Sequence, residues 1–262
     1  MNILELNKKE FKKFTGKKSV IGLSELGKPI LCFCVEKSEY PKIMVQATMH
    51  AREYITAYLT LKLLKDFDKK GKQGSVYFIP IVNPDGLKIA LNDNPLHKAN
   101  GKNVDLNTNF DARWGTGENN ITKPASENYI GKAPFSEKES KALRDFTFKI
   151  KPDFTISYHS KGEEIYYEFF QEQERKQNDL LLAQKIADTT DYKIVSTPNS
   201  AGGYKDWCIE KLKIPSITIE VGSDNLTHPI KRKSLRKIYK RNKDVIFVAI
   251  KHFMEKKCKK NL

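Results

Sequence analysis

Apolar positions along the chain alternate between short continuous runs and runs at helical spacing. Residues 30–35, 43–48, 76–82, 154–158 and 216–221 are short apolar runs, the pattern of buried strands. Between the second and third, Tyr54, Ala57, Tyr58, Leu61, Leu64 and Phe67 recur at three- and four-residue spacing and predict a helix over 53–67. Strand, helix and strand make a βαβ unit and therefore a parallel pair. Ser136 and Glu139 have capping-box spacing ahead of an apolar stripe of Ala142, Leu143 and Phe146. Residues 180–187 predict a further helix, and 235–253 one long closing helix. Residues 83–135 are rich in Asn, Gly and Pro without a sustained period, which in a compact chain points to functional loops. There is no internal repeat and no linker, so one α/β domain over 1–262, with helices on both sheet faces, is expected.

Composition adds limits. Hydrophobic residues at 39% and aromatics at 10% exclude wholesale disorder. The net charge of +15 favours acidic partners, although lysines spread along the chain read mostly as a solvated surface. Only residues 231–260 concentrate enough charge to resemble a basic face. Cys32 and Cys34 alternate inside a strand-like run, and with Cys208 and Cys258 they show no zinc-knuckle or disulfide spacing. A reduced, cytoplasmic setting is therefore expected. Residues 1–18 are polar with no signal core, and no run approaches the roughly 18 apolar residues of a membrane span. No RNA-binding motif occurs and aromatics are not interleaved with the basic runs, so specific nucleic-acid binding is not expected. A non-catalytic basic binding protein on the same fold is the reading from a different class; zinc content separates it from an enzyme. Nothing in the sequence bears on oligomeric state.

Candidate chemistry sits where the strand-like runs end. Residues 43–48 lead into His50-Ala51-Arg52-Glu53, 76–82 into Asn83-Pro84-Asp85-Gly86, 154–158 into His159-Ser160, and 216–219 into Glu220. Ligands of open α/β sheets bind beyond the carboxyl ends of the strands. His50 and Glu53, three apart at a helix start, can share one ion. His159 is the natural third ligand, although a lone histidine at a strand end is by default a satisfied structural one. Two imidazoles and one carboxylate leave a zinc position open for water, the arrangement of catalytic zinc. Glu220 closes an otherwise apolar strand, where a charge needs a partner, and suits the task of general base.

In this order the motifs resemble the zinc carboxypeptidase family typified by carboxypeptidase A, over about residues 43–220. His50-Ala51-Arg52-Glu53-Tyr54-Ile55-Thr56 is similar to the family's first metal motif, Val104-Asp105-Leu106-Asn107 to its substrate-binding segment, and Pro124-Ala125-Ser126-Glu127 to a family loop. Ser157-Tyr158-His159-Ser160 is similar to the third-ligand motif and Ile219-Glu220 to the catalytic glutamate. The resemblance implies a single-domain, mixed and mostly parallel twisted sheet, a Zn2+ cofactor and a peptide substrate. It further implies that Asp105 accepts a hydrogen bond from His50, that Arg52 and Lys98 supply positive charge near the scissile carbonyl, and that Asn107 contacts the substrate. Two departures stand out: Thr108 follows Asn107 where the family has a carboxylate-gripping arginine, and 197–203 lacks a tyrosine ahead of Gly202-Gly203. Lys205 falls where the family lines its side-chain pocket and would favour a carboxylate there. The runs 159–167 and 203–207 resemble bacterial γ-D-glutamyl-diaminopimelate peptidases, which implies an acidic muropeptide or peptidoglycan stem peptide as substrate. A carboxypeptidase of relaxed or acidic C-terminal specificity is the alternative.

Overall fold

The computed structural model describes residues 1–260. In chain order the elements are α1 (Ile3–Lys13), β1 (Lys17–Leu23), β2 (Pro29–Glu36), β3 (Lys42–Ala47), α2 (Ile55–Lys70), β4 (Ser75–Ile79), α3 (Pro84–Asn92), α4 (Lys138–Ile150), β5 (Phe154–His159), β6 (Glu164–Tyr166), α5 (Gln173–Thr190), β7 (Lys193–Ile194), α6 (Tyr204–Glu210), β8 (Ser216–Glu220), α7 (Leu235–Asn242) and α8 (Val245–Lys260). All strands join one sheet in the order β1-β2-β4-β3-β5-β8-β6-β7. Its centre, β4-β3-β5-β8, is parallel; β1, β2 and β6 run antiparallel to their inner neighbours. The expected mixed, mostly parallel α/β sheet is therefore present.

Side chains alternate across each strand, so the two sheet faces differ in chemistry. One face carries Phe33, Val35, Ile43, Val45, Phe154, Ile156, Ile217 and Ile219 against α1, α2, α5, α7 and α8. In α2, Ile55, Leu59, Leu63 and Phe67 are almost fully buried, each contributing about 1.5–3 kcal/mol of transfer free energy. The other face packs β2, β3 and β4 against α4 and α6 through Met44, Ala142, Leu143, Tyr204 and Trp207. On β3, β5 and β8 this second face turns polar: Gln46 Nε2 donates to Ser157 Oγ at 2.6 Å, and Thr155 and Ser216 hydroxyls bond at 2.5 Å. The same alternation brings His159 and Glu220 out at the top of that face. No helix of the described residues is long and apolar enough to cross a membrane.

Several local expectations are corrected. The helix expected over 53–67 is present as α2 but begins at Ile55, after a 3-10 turn, Ala51–Glu53. Residues 83–135 are not wholly irregular, because Pro84 at the first turn and an Asn83 cap (Gly86 N–H to Oδ1, 2.9 Å) start α3. The Ser136–Glu139 capping box does not form. Glu137 is the N-cap residue, and Glu139 instead accepts from Glu25 N at 3.2 Å and Asn100 Nδ2 at 3.4 Å. The long closing helix divides after Asn242, whose buried amide donates to Tyr192 Oη (3.0 Å) and ties the end of α7 to the β7 edge. The N-terminal segment, expected only to be polar, is α1, capped reciprocally by Asn2 and Glu5.

Candidate metal centre and active site

The chain leaves β3 through Thr48, in the left-handed region at φ 53°, and turns back over the sheet. Thr56 Oγ1 donates to Glu53 O at 2.7 Å and accepts from Thr48 N at 3.1 Å, so the start of α2 braces this turn. The bracing aims His50 and Glu53 at the end of β5, which carries His159. His50 Nδ1 lies 2.8 Å from Glu53 Oε1 and 3.0 Å from His159 Nδ1; His159 Nδ1 lies 3.1 Å from Glu53 Oε2. All three residues are buried.

This donor set fits zinc. His50 Nε2 is 3.1 Å from Asp105 Oδ1, an acceptor-only carboxylate, so the proton sits on Nε2 and the Nδ1 lone pair faces His159. Two buried ring nitrogens and a carboxylate, facing one another at 2.8–3.1 Å, form a cradle for a cation. Four-coordinate zinc with bonds of about 2.0–2.2 Å places its ligands roughly 3.3 Å apart, close to this spacing. The other acidic cluster among the described residues, Glu25, Glu137 and Glu139, offers oxygen only.

Asp105 ties the metal cradle to the cleft. Its buried carboxylate accepts from Lys98 Nζ (2.7 Å), Asn107 N (3.1 Å) and Asn128 N (3.3 Å) besides His50. Burial alone would raise this carboxyl, but Lys98 and His50 outweigh it and hold it well below the usual carboxylate range. Lys98 loses charge preference to burial and regains more from Asp105, so its ammonium stays charged above the ordinary range.

Glu220 is directly opposite His159 in the β5–β8 register. Its Oε2 is buried and has no hydrogen-bond partner. Burial first, and the charge of Glu53 second, push its carboxyl well above the usual range. Across the next strand pair stands Glu164, whose Oε2 accepts from Tyr166 Oη at 2.5 Å. A carboxyl poised this way can take a proton and return it.

Beside His50 opens a cleft of about 350 Å³ whose walls include Lys98, Asp105, Asn107 and Thr108. The rest of its polar lining is neutral: Asn119, Asn120, Asn128, Asn199, Thr197 and Ser200. Residues 117–120 and 197–201 face each other across it and are joined, since Glu118 N donates to Asn199 O at 3.0 Å and Asn199 Nδ2 to Glu118 Oε2 at 2.8 Å. Gly202, at φ 83°, closes against the backbone of Thr108; a Cβ there would lie 2.8 Å from Thr108 O. The amides of these two loops escaped sequence reasoning, although the density of Asn and Gly in 83–135 marked the first of them as functional.

The structure thus gathers His50, Glu53, His159, Asp105, Lys98, Asn107 and Thr108 around one centre, with Glu220 at the adjoining strand end. Two further expected site residues have partners of their own within the fold. Arg52 Nη1 pairs with Glu127 at 3.1 Å and donates to Leu96 O at 3.3 Å, while its buried Nε has no hydrogen-bond partner. Lys205 is buried, with its ammonium 2.6 Å from Asp206 Oδ1 and 2.9 Å from Glu168 O. That charge is neutralised within the protein, so Lys205 does not offer the cleft an open carboxylate grip.

Comparison with known proteins agrees with this geometry. A family model described as zinc carboxypeptidase matches residues 3–245. The γ-D-glutamyl-L-diamino acid endopeptidase 1 of Lysinibacillus sphaericus is 28% identical over 247 residues, covering 80% of this chain and 61% of that protein. The chain therefore spans about three fifths of that relative's length. Bovine thrombin-activatable fibrinolysis inhibitor, in complex with a tick carboxypeptidase inhibitor, superposes with a TM-score of 0.87 at 22% identity over 98% of both chains. The murein-tripeptide amidase of Escherichia coli O157 gives 0.63 at 22% identity, over 91% of this chain and 95% of that one. Fold, donor set and family match converge: the chain belongs to the zinc carboxypeptidase family.

Proposed function

We propose that this peptidase hydrolyses γ-D-glutamyl-(meso)diaminopimelate bonds in peptidoglycan stem peptides. The observation that carries the reading is the lining of the cleft. Where a general carboxypeptidase needs a fixed cation for the terminal carboxylate, this cleft has Thr108 and a set of asparagines, and its one cation, Lys98, is held by Asp105. Thr108 cannot replace the bidentate charge-assisted grip of an arginine. Amides both donate and accept, and so suit the paired ammonium and carboxylate at the side-chain end of a diamino acid. A similar relative carries a γ-D-glutamyl-L-diamino acid endopeptidase name, and a structural neighbour is a murein-tripeptide amidase.

In this reading His50, Glu53 and His159 hold zinc, which when bound polarises the scissile carbonyl and acidifies water. Glu220 accepts the proton from water and delivers it to the leaving amine. Asp105 keeps His50 in its metal-binding tautomer, Lys98 presents positive charge at the cleft wall, and Asn107 and Thr108 position the substrate. Arg52 contributes by holding the 96–127 loops beside the cradle.

The test is zinc-loaded enzyme on L-Ala-γ-D-Glu-meso-diaminopimelate and on hippuryl-type substrates, with products identified by mass spectrometry. Cleavage of the γ-glutamyl bond is expected, with a fall of about a hundred-fold to ten-thousand-fold in Glu220→Gln. Cleavage of the hippuryl substrates alone, or full activity in Glu220→Gln, refutes the proposal.

A further inference from the structure

The chemistry of the cleft leaves the charge of the protein unexplained, because the cleft is mostly neutral. The excess is gathered elsewhere. From Lys231 to Lys243 eight of thirteen residues are basic and none is acidic. This stretch forms a 3-10 turn, Arg232–Ser234, and then α7. Ile238 and Asn242 point inward, while Lys231, Arg232, Lys233, Arg236 and Lys240 are exposed.

Most of these cations are not neutralised within the fold. Arg241 is held by Glu163 and Asp191, Lys237 lies 3.9 Å from Glu163, and Lys243 lies 3.6 Å from Asp244. None of the five exposed residues just named has a carboxylate within ion-pair distance among the described residues. Lys62 extends the patch from α2, its ammonium 4.2 Å above the Tyr239 ring. Like charges one turn apart, such as Arg236 and Lys240, weaken a helix unless a counter-charge arrives.

The ridge adjoins the active site. Its first residue, Lys231, follows Glu220 by eleven residues in sequence. At its start Arg232 covers the ring of Tyr58, which sits in the first turn of α2, just after the metal ligand Glu53.

We propose that this ridge is a docking surface for a linear polyphosphate chain. Charge complementarity asks for a dense polyanion. The two tyrosine rings at the ridge, Tyr58 and Tyr239, are half-buried and each already carries a cation over one face, Arg232 and Lys62, which disfavours the base stacking that single-stranded nucleic acid uses. None of the exposed large hydrophobic residues of the described chain lies on the ridge, so it lacks the apolar wedge that seats an amphipathic helix in a lipid surface. What remains is a row of cations that a flexible chain of phosphates can follow. The docking does not depend on which peptide bond the active site cuts.

The experiment uses the full chain and fluorescently labelled short-chain polyphosphate, followed by anisotropy over a range of salt. About four phosphate contacts predict a log–log salt slope near −3, or roughly a 50-fold loss of affinity between 50 and 200 mM salt. Replacing Lys231, Lys233, Arg236 and Lys240 together by Gln is expected to abolish this binding. The same four positions carried as Lys or Arg should retain it. Neutralising Lys8, Lys9, Lys72 and Lys149 on other elements matches the net charge and should leave binding near wild type. Hydrolysis of a small peptide should be unchanged in all of these variants. Equal loss in the ridge and control variants, tighter binding to a single-stranded oligonucleotide of equal charge or to anionic vesicles, or no polyphosphate binding at about 0.15 M salt, each overturns the proposal.

Discussion

Replacing Asp105 by Asn removes a single charge and nearly preserves shape. In the structure that carboxylate accepts from His50 Nε2 at 3.1 Å and from Lys98 Nζ at 2.7 Å, with two backbone N–H groups besides. An amide has one accepting oxygen, so either Lys98 or His50 must face an NH2 group. Loss of the hydrogen bond that orients a ligating histidine is expected to weaken zinc binding by about 10–100-fold, or about 1.4–2.7 kcal/mol. The metal-free protein should also lose stability. Removing one partner of a buried pair costs about 3–5 kcal/mol, and the 17% exposure of the Lys98 side chain brings this toward the lower end. Competition for zinc against a chromogenic chelator measures the first quantity, and urea unfolding of metal-free protein the second. Glu220→Gln is the control, because Glu220 lies outside the donor set and should bind zinc as wild type does. Unchanged zinc affinity together with unchanged stability in Asp105→Asn would refute the account of Asp105 as the group joining cradle and cleft.

Other perturbations probe different layers. Glu139 is buried, with its carboxyl raised by desolvation from 4.5 to about 7, so its stabilising protonated form is fully present below about 4.5 and lost as pH rises through 7. Glu139→Gln should therefore gain on wild type by up to about 3 kcal/mol between mildly acid and mildly alkaline pH, read by urea midpoints across the range; a pH-independent difference contradicts this. Gly202→Ala should cost at least about 1 kcal/mol and reduce activity, since its Cβ would press the Thr108 carbonyl from the cleft wall; wild-type kinetics and melting temperature together would count against that role. Chelating zinc should lower the unfolding free energy by about 4 kcal/mol relative to protein at a thousand-fold excess of zinc over Kd, measured calorimetrically. No change in melting would place the metal outside the folded core.

The parallel centre of the sheet could be read directly, because residues 43–48, 154–158 and 216–221 are apolar runs too short for helices. Their ends could be read for the same reason: a His or Glu following such a run has little alternative to the rim of the sheet. Edge elements were harder. The β1 strand is mostly exposed and so carries no apolar run, and β6 and β7 have three and two residues. The capping-box pattern at Ser136–Glu139 misled because Glu139 has a stronger tertiary use with Asn100 and Glu25. Lys205 misled for a related reason: sequence position brought it near the family's pocket, but Asp206, its neighbour, captures its charge. Asparagines of the cleft such as Asn119 and Asn199 lie 80 residues apart in sequence, and only the folded chain brings them together.

The pairing of Glu118 with Asn199 bears on how such an enzyme can be redirected. The strand ends hold His159 and Glu220 in a register that the sheet maintains on its own, whereas the cleft is walled by two loops that hold each other. Grafting a foreign 117–120 segment alone would sever that clasp and let the cleft collapse or splay, whatever recognition the new segment carried. Retargeting therefore has to move both loops as one cassette, and the catalytic register can be left untouched while this is done.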